Sequence, residues 1–356
     1  MTTQPSDRIR LASWPTPLEP APRLAEALGL GPDDLWIKRD DLTGLAGGGN
    51  KIRKLEWTVA AAIAAGADAL VTTGAPQSNH ARLTAAAGAR LGLRVVLVFP
   101  GDPGGAQLGN LALDGLLGAR IAWAGDVGLA EAADAVVAQI RAHGGRPALI
   151  PFGGSSGVGA RGYVACAREL QQQLPDLDTV VVALGSGGTM AGLVAALGPD
   201  KVLGIDTGAM PYPLPAVARF AAEAGEEPVD SSALRVRFDQ VGSGYGDLVE
   251  SVAAAMSLIA TTEGIVLDPI YTGRALAGLI AAVHDGDITS GSTTVLMHTG
   301  VLPGLFDIRS RCPTPRAFCR RSASTLPLAQ GVQQLPVRPD EVGGVRSAEP
   351  GIAPGV

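Results

Sequence analysis

Short apolar stretches that alternate with longer helical segments are the feature that most constrains the fold of this chain. Residues 35–39, 69–73 and 94–99 have the composition of strands, and a polar or glycine-rich loop and a predicted helical segment follow each one. The pattern recurs after residues 179–184. Strands that alternate with helices form βαβ units with parallel sheets covered on both faces. We therefore predict an α/β fold of two open, doubly wound lobes with mainly parallel sheets, and a ligand in the cleft between them.

The order of these segments predicts how the chain is divided. We expect a large lobe from residues 1–47 and 155–306, and a small lobe from residues 48–154. Residues 307–356 are rich in Pro, Arg, Ser and Gly and show no apolar period. Such a composition cannot bury enough apolar surface to fold, so we predict a disordered C-terminal tail.

Composition excludes several classes of function. A formal net charge of −6 argues against nonspecific nucleic-acid binding, which needs a basic face. No secretory signal is visible at the N-terminus, and the apolar runs are too short to span a bilayer. Cys166, Cys312 and Cys319 match no common zinc spacing, and their odd number argues against a disulfide framework. We expect a cytoplasmic protein without a metal site.

A glycine-led lysine is the first candidate for chemistry. Three glycines at positions 47–49 precede Asn50 and Lys51, and the alanine-rich run to Ala65 predicts a helix. Lys51 would lie in the first turn, where the peptide dipoles disfavour an ammonium and make the amine easier to deprotonate. Schiff-base chemistry requires a neutral lysine amine. The alternative is an ordinary solvated lysine.

A second candidate is the segment Gly185-Ser186-Gly187-Gly188-Thr189, between a predicted strand and a predicted helix. Glycine amides and hydroxyls at a helix N-terminus can bind a phosphate group. The segment lacks both the dinucleotide fingerprint and the Gly-Lys-Ser/Thr of a nucleotide P-loop, so we expect a small phosphorylated ligand. The alternative is a tight turn that packs closely.

Polar residues follow the strand of residues 69–73 in the order Gln77, Ser78, Asn79 and His80. At the carboxyl end of a parallel strand, Ser78 and Asn79 could hold a carboxylate or a phenolic oxygen. The alternatives are a helix N-cap at Ser78 or Asn79 and a packing role for His80.

Two tyrosines and a threonine complete the set of candidates. Tyr245 and Tyr271 lie in loops that contain glycine, where a phenol can line a pocket or relay a proton, or can be merely half-buried. Thr299 follows the last predicted strand. A glycine-led lysine, a phosphate loop and polar residues at strand ends are together the components of a pyridoxal-phosphate site.

The ordered motifs resemble the family of D-cysteine desulfhydrase and 1-aminocyclopropane-1-carboxylate deaminase, over residues 10–306. These are pyridoxal-phosphate enzymes of fold type II, with the tryptophan synthase β-like fold, and the family is typically homodimeric. The motifs that carry the resemblance are Gly48-Gly49-Asn50-Lys51, Arg53-Lys54-Leu55-Glu56, Gln77-Ser78-Asn79-His80, Gly185 to Thr189, Asp268-Pro269, Tyr271-Thr272-Gly273 and His298-Thr299-Gly300.

The resemblance implies a role for each candidate residue. Lys51 would be the Schiff-base lysine, and Ser78, Tyr245 and Tyr271 would act with it in catalysis. The remaining assignments place Asn79 on the phenolic oxygen of the cofactor, Thr299 on its pyridine nitrogen, Gly185, Ser186, Gly187, Gly188, Thr189 and Lys54 on its phosphate, and Gln77, Ser78, Asn79 and His80 on the substrate.

Three positions separate the branches of this family. The deaminase pattern has Gln, Glu and Leu where this chain has His80, Thr272 and Thr299, which look like the desulfhydrase side. The resemblance thus implies β-elimination from a small amino acid, giving pyruvate, ammonium and, from D-cysteine, sulfide. The alternatives are an L-cysteate sulfo-lyase, a cyclopropane deaminase, or a cofactor-binding protein with impaired turnover. Val301, where the family has glycine, and the long tail motivate the last of these.

Overall fold

The computed structural model describes residues 8–104 and 109–300, and the fold of this part is organised on two sheets. The strands of this part are, in chain order, β1 (Leu18–Pro20), β2 (Leu35–Arg39), β3 (Ala69–Thr73), β4 (Arg94–Phe99), β5 (Arg120–Trp123), β6 (Pro147–Ile150), β7 (Thr179–Leu184), β8 (Val202–Asp206), β9 (Arg235–Arg237) and β10 (Thr294–His298). The α-helices are α1 (Pro22–Ala27), α2 (Lys51–Ala64), α3 (Asn79–Leu91), α4 (Asn110–Leu116), α5 (Leu129–Ala142), α6 (Gly157–Gln173), α7 (Gly188–Leu197), α8 (Leu214–Gly225), α9 (Glu250–Glu263) and α10 (Thr272–His284).

The two sheets differ in size and in the segments of chain that build them. The larger has six strands in the order β1-β2-β10-β7-β8-β9, and the smaller has four in the order β5-β4-β3-β6. Every neighbouring pair is parallel except β1 and β2. The predicted α/β class with mainly parallel sheets is therefore confirmed. All six residues of β7 are buried, as expected for a β-branched strand in the middle of a covered sheet.

Helices cover both faces of each sheet. On the six-stranded sheet, α1, α9 and α10 pack over one apolar core, and α6, α7 and α8 pack over another. On the four-stranded sheet, α2 and α3 bury one face and α5 buries the other. This arrangement leaves the carboxyl ends of the strands free to form a ligand site.

Buried ion pairs fix helix α2, which begins at Lys51. The Arg53 guanidinium makes two hydrogen bonds of 2.8 Å to the Asp40 carboxylate and contacts Glu169 at 2.8 Å. Lys38 adds a 3.2 Å contact to Glu169. Lys38, Asp40, Arg53 and Glu169 are called the anchor cluster below. Because β2, α2 and α6 each contribute to the anchor cluster, it holds the start of α2 against the six-stranded sheet.

Two of the sequence predictions fall outside the described residues. These are the disordered tail at residues 307–356 and the effect of Val301. Within the described part of the chain, no helix is long and apolar enough to cross a bilayer.

Candidate active site

One cavity of about 340 Å³ brings the predicted site residues together. Its walls come from segments that follow the carboxyl ends of strands in both sheets, among them the loops after β3, β6, β7, β8 and β10. Every predicted site residue lines this cavity except Gly188, whose buried N–H donates to the Ser155 hydroxyl at 3.1 Å. The structure therefore brings the predicted site residues together around one cavity, and the role of each residue stays a prediction.

Lys51 stands at the first position of α2, as the sequence predicted. A Cβ at Gly48 in the loop before it would collide with the Asp41 carbonyl oxygen, so only glycine fits there. The Lys51 ammonium donates to Asn50 Oδ1 at 2.9 Å, and Asn50 Nδ2 donates to the Thr189 hydroxyl at 3.0 Å. Asn50 thereby links the lysine to the predicted phosphate loop.

The surroundings of Lys51 favour its neutral form. Desolvation lowers the pKa of its amine from 10.5 to about 8, Asp268 opposes this shift, and Arg82 adds to it. About a tenth of the amine is therefore unprotonated at pH 7, far more than for an ordinary lysine, and Schiff-base chemistry requires this neutral form.

The Gly185–Thr189 loop connects β7 to α7 across the floor of the cavity. Gly187, the residue before α7, has a φ of 89°, which favours glycine, and it has no side chain to cap the helix; the Ser155 hydroxyl accepts the Gly188 N–H instead. A Cβ at Gly185 would come within 3.0 Å of the Tyr271 ring. The helix N-terminus beside small residues can thus accept an anion at close range.

A second small-residue loop, Gly153-Gly154-Ser155 after β6, supports the first. The Ser155 hydroxyl lies 2.8 Å from the Ser186 hydroxyl and accepts from the Lys54 ammonium at 3.1 Å. Sequence analysis missed Ser155, although a run of glycine and serine after a strand is the same kind of signal that identified Gly185–Thr189.

Lys54 is buried and lacks a carboxylate partner in the described part of the chain. Among residues 8–104 and 109–300, its Nζ donates only to Ser155 and, at 3.3 Å, to the Gly153 carbonyl. Desolvation and the neighbouring charge of Lys51 hold its pKa well below 10.5. An anion beside Ser186 would supply the missing counter-charge.

Ser78 and Asn79 begin α3 at the carboxyl end of β3. The Ser78 hydroxyl accepts from the Ala81 N–H at 3.2 Å, so it caps the helix and also faces the cavity. The Oδ1 atom of Asn79 accepts from Asn110 Nδ2 at 2.9 Å and from Arg82 at 3.3 Å. Both contacts use the oxygen of the amide, and its Nδ2 donor is the polar end available to a ligand.

Gln77 and His80 are held by the protein. Gln77 Oε1 accepts from the Asn110 N–H at 2.9 Å. The Thr72 hydroxyl donates to the Ile150 carbonyl at 2.9 Å and therefore accepts from His80 Nε2 at 2.9 Å. Burial and the two nearby lysines keep the pKa of His80 well below 6.5, so the ring is neutral. Its Nδ1 atom has no hydrogen-bond partner among the described residues, which leaves one acceptor at the cavity wall.

Tyr245 and Tyr271 form a pair on the opposite wall. Their hydroxyls are 2.7 Å apart, and the Lys51 amine lies 5.9 Å from the centre of the Tyr271 ring. Asp268 fixes the Tyr271 loop by accepting the N–H groups of Ile270, Tyr271 and Thr272 at 2.8–2.9 Å. Burial and the neighbouring Tyr245 hold the pKa of Tyr271 well above 10, so its hydroxyl remains a proton donor at neutral pH.

Thr299 reaches the cavity from the end of β10. Its carbonyl accepts from the Asn50 N–H at 2.9 Å, which ties the strand end to the residue before Lys51. Gly300 has a φ of 95°, and a Cβ there would come within 2.7 Å of Gly49 Cα. Close contact between two glycine backbones therefore brings Thr299 and Lys51 to one site.

The donor set fits a phosphorylated carbonyl cofactor such as pyridoxal 5′-phosphate. Lys51 offers an amine for the carbonyl of the cofactor. Lys54, Ser186 and the α7 N-terminus offer a site for its phosphate, in which no carboxylate pairs with Lys54 among the described residues. Asn79 presents a donor for a ring oxygen.

The comparisons with known proteins agree with this fit. Residues 9–300 match the family described as pyridoxal-phosphate dependent enzyme. The chain is 40% identical to a putative 1-aminocyclopropane-1-carboxylate deaminase of Pyrococcus abyssi, over 84% of this chain and 93% of that protein. It is also 40% identical to D-cysteine desulfhydrase of Salmonella schwarzengrund, over 84% of this chain and 95% of that protein.

A solved structure is similar along the same length. The crystal structure of a 1-aminocyclopropane-1-carboxylate deaminase homologue superposes with a TM-score of 0.77 at 35% identity, over 85% of this chain and 94% of that one. A threonine deaminase of Solanum lycopersicum, at 18% identity and a TM-score of 0.57, shares the fold. The predicted resemblance, fold type II and cofactor are confirmed at the level of the family. The chain belongs to the pyridoxal-phosphate dependent enzyme family.

Proposed function

We propose that this protein is a pyridoxal-phosphate dependent lyase that eliminates the β-substituent of a small amino acid, as a D-cysteine desulfhydrase does. The observation that carries the proposal is Lys51, an amine with a pKa of about 8 between an anion site and a tyrosine pair. With D-cysteine, the reaction would consume water and release pyruvate, ammonium and sulfide.

When bound, pyridoxal phosphate supplies a carbonyl that condenses with amines and a conjugated ring that withdraws electrons from the α-carbon of the substrate. The side chains would orient it from three directions. Lys54, Ser186 and the α7 N-terminus would hold the phosphate, Asn79 would donate to the ring oxygen, and Thr299 would face the ring nitrogen. Gly187, Gly188 and Thr189 belong to the same phosphate loop.

Proton transfer would fall to Lys51 and the tyrosine pair. The Lys51 Nζ would accept the proton from the substrate α-carbon, since a neutral amine is a competent base near its pKa. The Tyr271 hydroxyl, 2.7 Å from that of Tyr245, would donate a proton to the leaving group. Ser78, with Gln77, Asn79 and His80 on the same wall, would bind the substrate carboxylate.

The cavity favours a substrate whose leaving group carries no permanent negative charge. No arginine lines it among the described residues, and its lysines are Lys51 and Lys54, which the cofactor would engage. A sulfonate would therefore lack a cationic partner, which argues against L-cysteate.

Position 272 argues against cyclopropane opening. The deaminase pattern places glutamate there, whereas the Thr272 hydroxyl of this chain donates to Asp268 Oδ1 at 2.6 Å. That hydroxyl also accepts from the Asp268 N–H at 2.9 Å, so both of its bonds hold the loop before α10, and position 272 offers no carboxyl group.

A substrate panel tests the proposal. The purified protein, loaded with pyridoxal phosphate, is assayed for pyruvate from D-cysteine, L-cysteate and D-serine, and for ammonium from 1-aminocyclopropane-1-carboxylate. We expect the highest kcat/KM with D-cysteine, loss of turnover and of the visible cofactor band in Lys51→Ala, and neither loss in the surface control Lys201→Ala. Turnover of the cyclopropane alone would contradict the proposal. A normal band without any turnover would support the cofactor-binding alternative.

We further propose a cytoplasmic homodimer, because the resemblance implies a dimer and the cysteine content suits a reducing compartment. The large lobe of residues 1–47 and 155–306 and the small lobe of residues 48–154 are proposed on the same basis. The division of strands between the two sheets supports them. Light scattering after gel filtration tests the dimer.

A further inference from the structure

Arg82 joins two parts of the candidate site that are distant in sequence. Its side chain is fully buried on α3. The guanidinium donates to the Ala46 carbonyl and, at 3.0 Å, to the Gly48 carbonyl, both in the loop that leads into Lys51. The same group donates to Asn79 Oδ1 at 3.3 Å. One side chain thus contacts the lysine loop and the residue proposed to face the cofactor ring.

These bonds determine which end of the Asn79 amide is available. Arg82 and Asn110 both donate to its Oδ1, at 3.3 and 2.9 Å. A flipped amide would place two donors against its own Nδ2 group, so the observed orientation is strongly favoured. The Nδ2 donor is consequently the end presented to a ring oxygen.

Arg82 is also a cation that the protein does not fully neutralise. No carboxylate lies within ion-pair distance of it among the described residues. Asp114, on α4, is the acid that influences it, and both oxygens of Asp114 are buried without a hydrogen-bond partner in the described chain. Burial raises the pKa of Asp114 to about 7 against the opposing charge of Arg82. Near neutral pH, Asp114 is therefore only partly ionised.

We propose that Arg82 is a positioning residue that fixes, from one point, the loop before Lys51 and the orientation of the Asn79 amide. This inference rests on the proposed function, because the two residues it positions are those that would bind the cofactor. A second effect follows from its charge, which favours the neutral amine of Lys51.

Other groups also act on Lys51, and the test must separate them from Arg82. Asp268 faces Lys51 from the loop before α10 and favours the ammonium. Lys54 lies one turn along α2, neutral His80 lies on α3, and the centre of the Tyr271 ring lies 5.9 Å from the amine. Each of these remains unchanged when Arg82 alone is substituted.

The experiment measures uptake of pyridoxal phosphate by the cofactor-free protein as a function of pH, from the visible band of the bound cofactor. In Arg82→Gln, we expect affinity to fall by about tenfold or more, because charge-assisted bonds are lost. We also expect the pH midpoint of uptake to rise by on the order of half a unit, because a nearby positive charge is removed. In Arg82→Lys, affinity should fall while the pH midpoint of uptake stays the same. Lysine keeps the positive charge but lacks the planar guanidinium, whose several N–H donors have a fixed geometry.

Arg274→Gln is the matched control. Arg274 is equally buried, and its guanidinium donates to the carbonyls of Thr207, Gly244 and Asp247 in the Tyr245 wall. The Arg274→Gln substitution should leave the pH midpoint of cofactor uptake at its wild-type value.

The proposal would be overturned if Arg82→Gln kept the wild-type affinity for pyridoxal phosphate or the wild-type pH midpoint of uptake. It would also be overturned if Arg274→Gln shifted that midpoint as much as Arg82→Gln does. If Arg82→Gln does not fold, wild-type affinity in Arg82→Lys would overturn it. A wild-type protein that takes up no cofactor would contradict the proposed function itself, and this inference with it.

Discussion

Two clusters of buried cations flank helix α2, and they differ in how their charge is balanced. In the anchor cluster, Arg53 and Lys38 contact the carboxylates of Asp40 and Glu169 at 2.8–3.2 Å. Lys51, Lys54 and Arg82, called the site cluster, have no such ion pair in the described part of the chain and donate to amide, hydroxyl and carbonyl oxygens.

The pKa of Arg53 in the anchor cluster shifts in the opposite direction to the pKa values of the three cations in the site cluster. Burial disfavours the charge of Arg53, but Asp40 and Glu169 outweigh it and hold its pKa well above the usual value of an arginine. In the site cluster, desolvation lowers the pKa of Lys51 to about 8, that of Arg82 to about 10, and that of Lys54 well below 10.5. The anchor cluster is complete without a ligand. The cations of the site cluster have no carboxylate partner among the described residues, as expected for a site that binds an anion.

The largest expected effect concerns the anchor cluster. Arg53→Met should lower the free energy of unfolding by about 3–5 kcal/mol, because it leaves the buried Asp40 carboxylate uncompensated. Chemical denaturation of the cofactor-free protein measures this. In the control Arg168→Met, an exposed position on α6, the change should stay within about 0.5 kcal/mol. Equal stability of the two variants would show that the anchor cluster does not hold α2.

The next effect concerns the site cluster. Lys54→Met removes a cation that has no carboxylate, so the free energy of unfolding of the cofactor-free protein should fall by less than about 1 kcal/mol or rise. Its affinity for pyridoxal phosphate should fall by about ten- to a hundredfold, because a charged hydrogen bond to phosphate is lost. Equilibrium titration gives the affinity, with the surface variant Lys201→Met as control. A loss of stability as large as that of Arg53→Met would remove the distinction between the clusters.

The smallest expected effect is on the pH dependence of cofactor uptake. Lys51 has a pKa lowered to about 8, so its amine is protonated and unreactive below that pH and neutral above it. The rate of cofactor uptake should therefore rise with pH through a midpoint near 8. Asp268 favours the ammonium, so Asp268→Asn should move the midpoint down, by on the order of half a unit. Stopped-flow absorbance measures both midpoints. An upward shift in Asp268→Asn would contradict the assignment.

The fold was predictable because its signals are local. Strands such as residues 69–73, 94–99 and 179–184 have the predicted bounds, and α2 starts at Lys51 as the glycine-led pattern indicated. The order of strands in each sheet was not predictable, because pairing depends on contacts between segments far apart in the chain. The lobe boundaries stay a prediction.

The site was predictable only where its residues share a short motif. Lys51, the Gly185–Thr189 loop and the Gln77–His80 segment each carry such a motif. Arg82 and Asn110 carry none, because their roles depend on reaching another segment through a long side chain. Gly188 is the opposite case, a residue that a motif identified but that does not line the cavity. The motif predicted that it binds phosphate, whereas its N–H donates to the Ser155 hydroxyl.

The most direct test of the contrast between the clusters is the binding of a ligand with and without a phosphate. Lys51→Ala removes the covalent link, so calorimetric titration of this variant reports the noncovalent contacts alone. If the site cluster is an anion site, pyridoxal 5′-phosphate should bind at least about tenfold more tightly than pyridoxal, which lacks the phosphate. Equal affinity for the two compounds would contradict it.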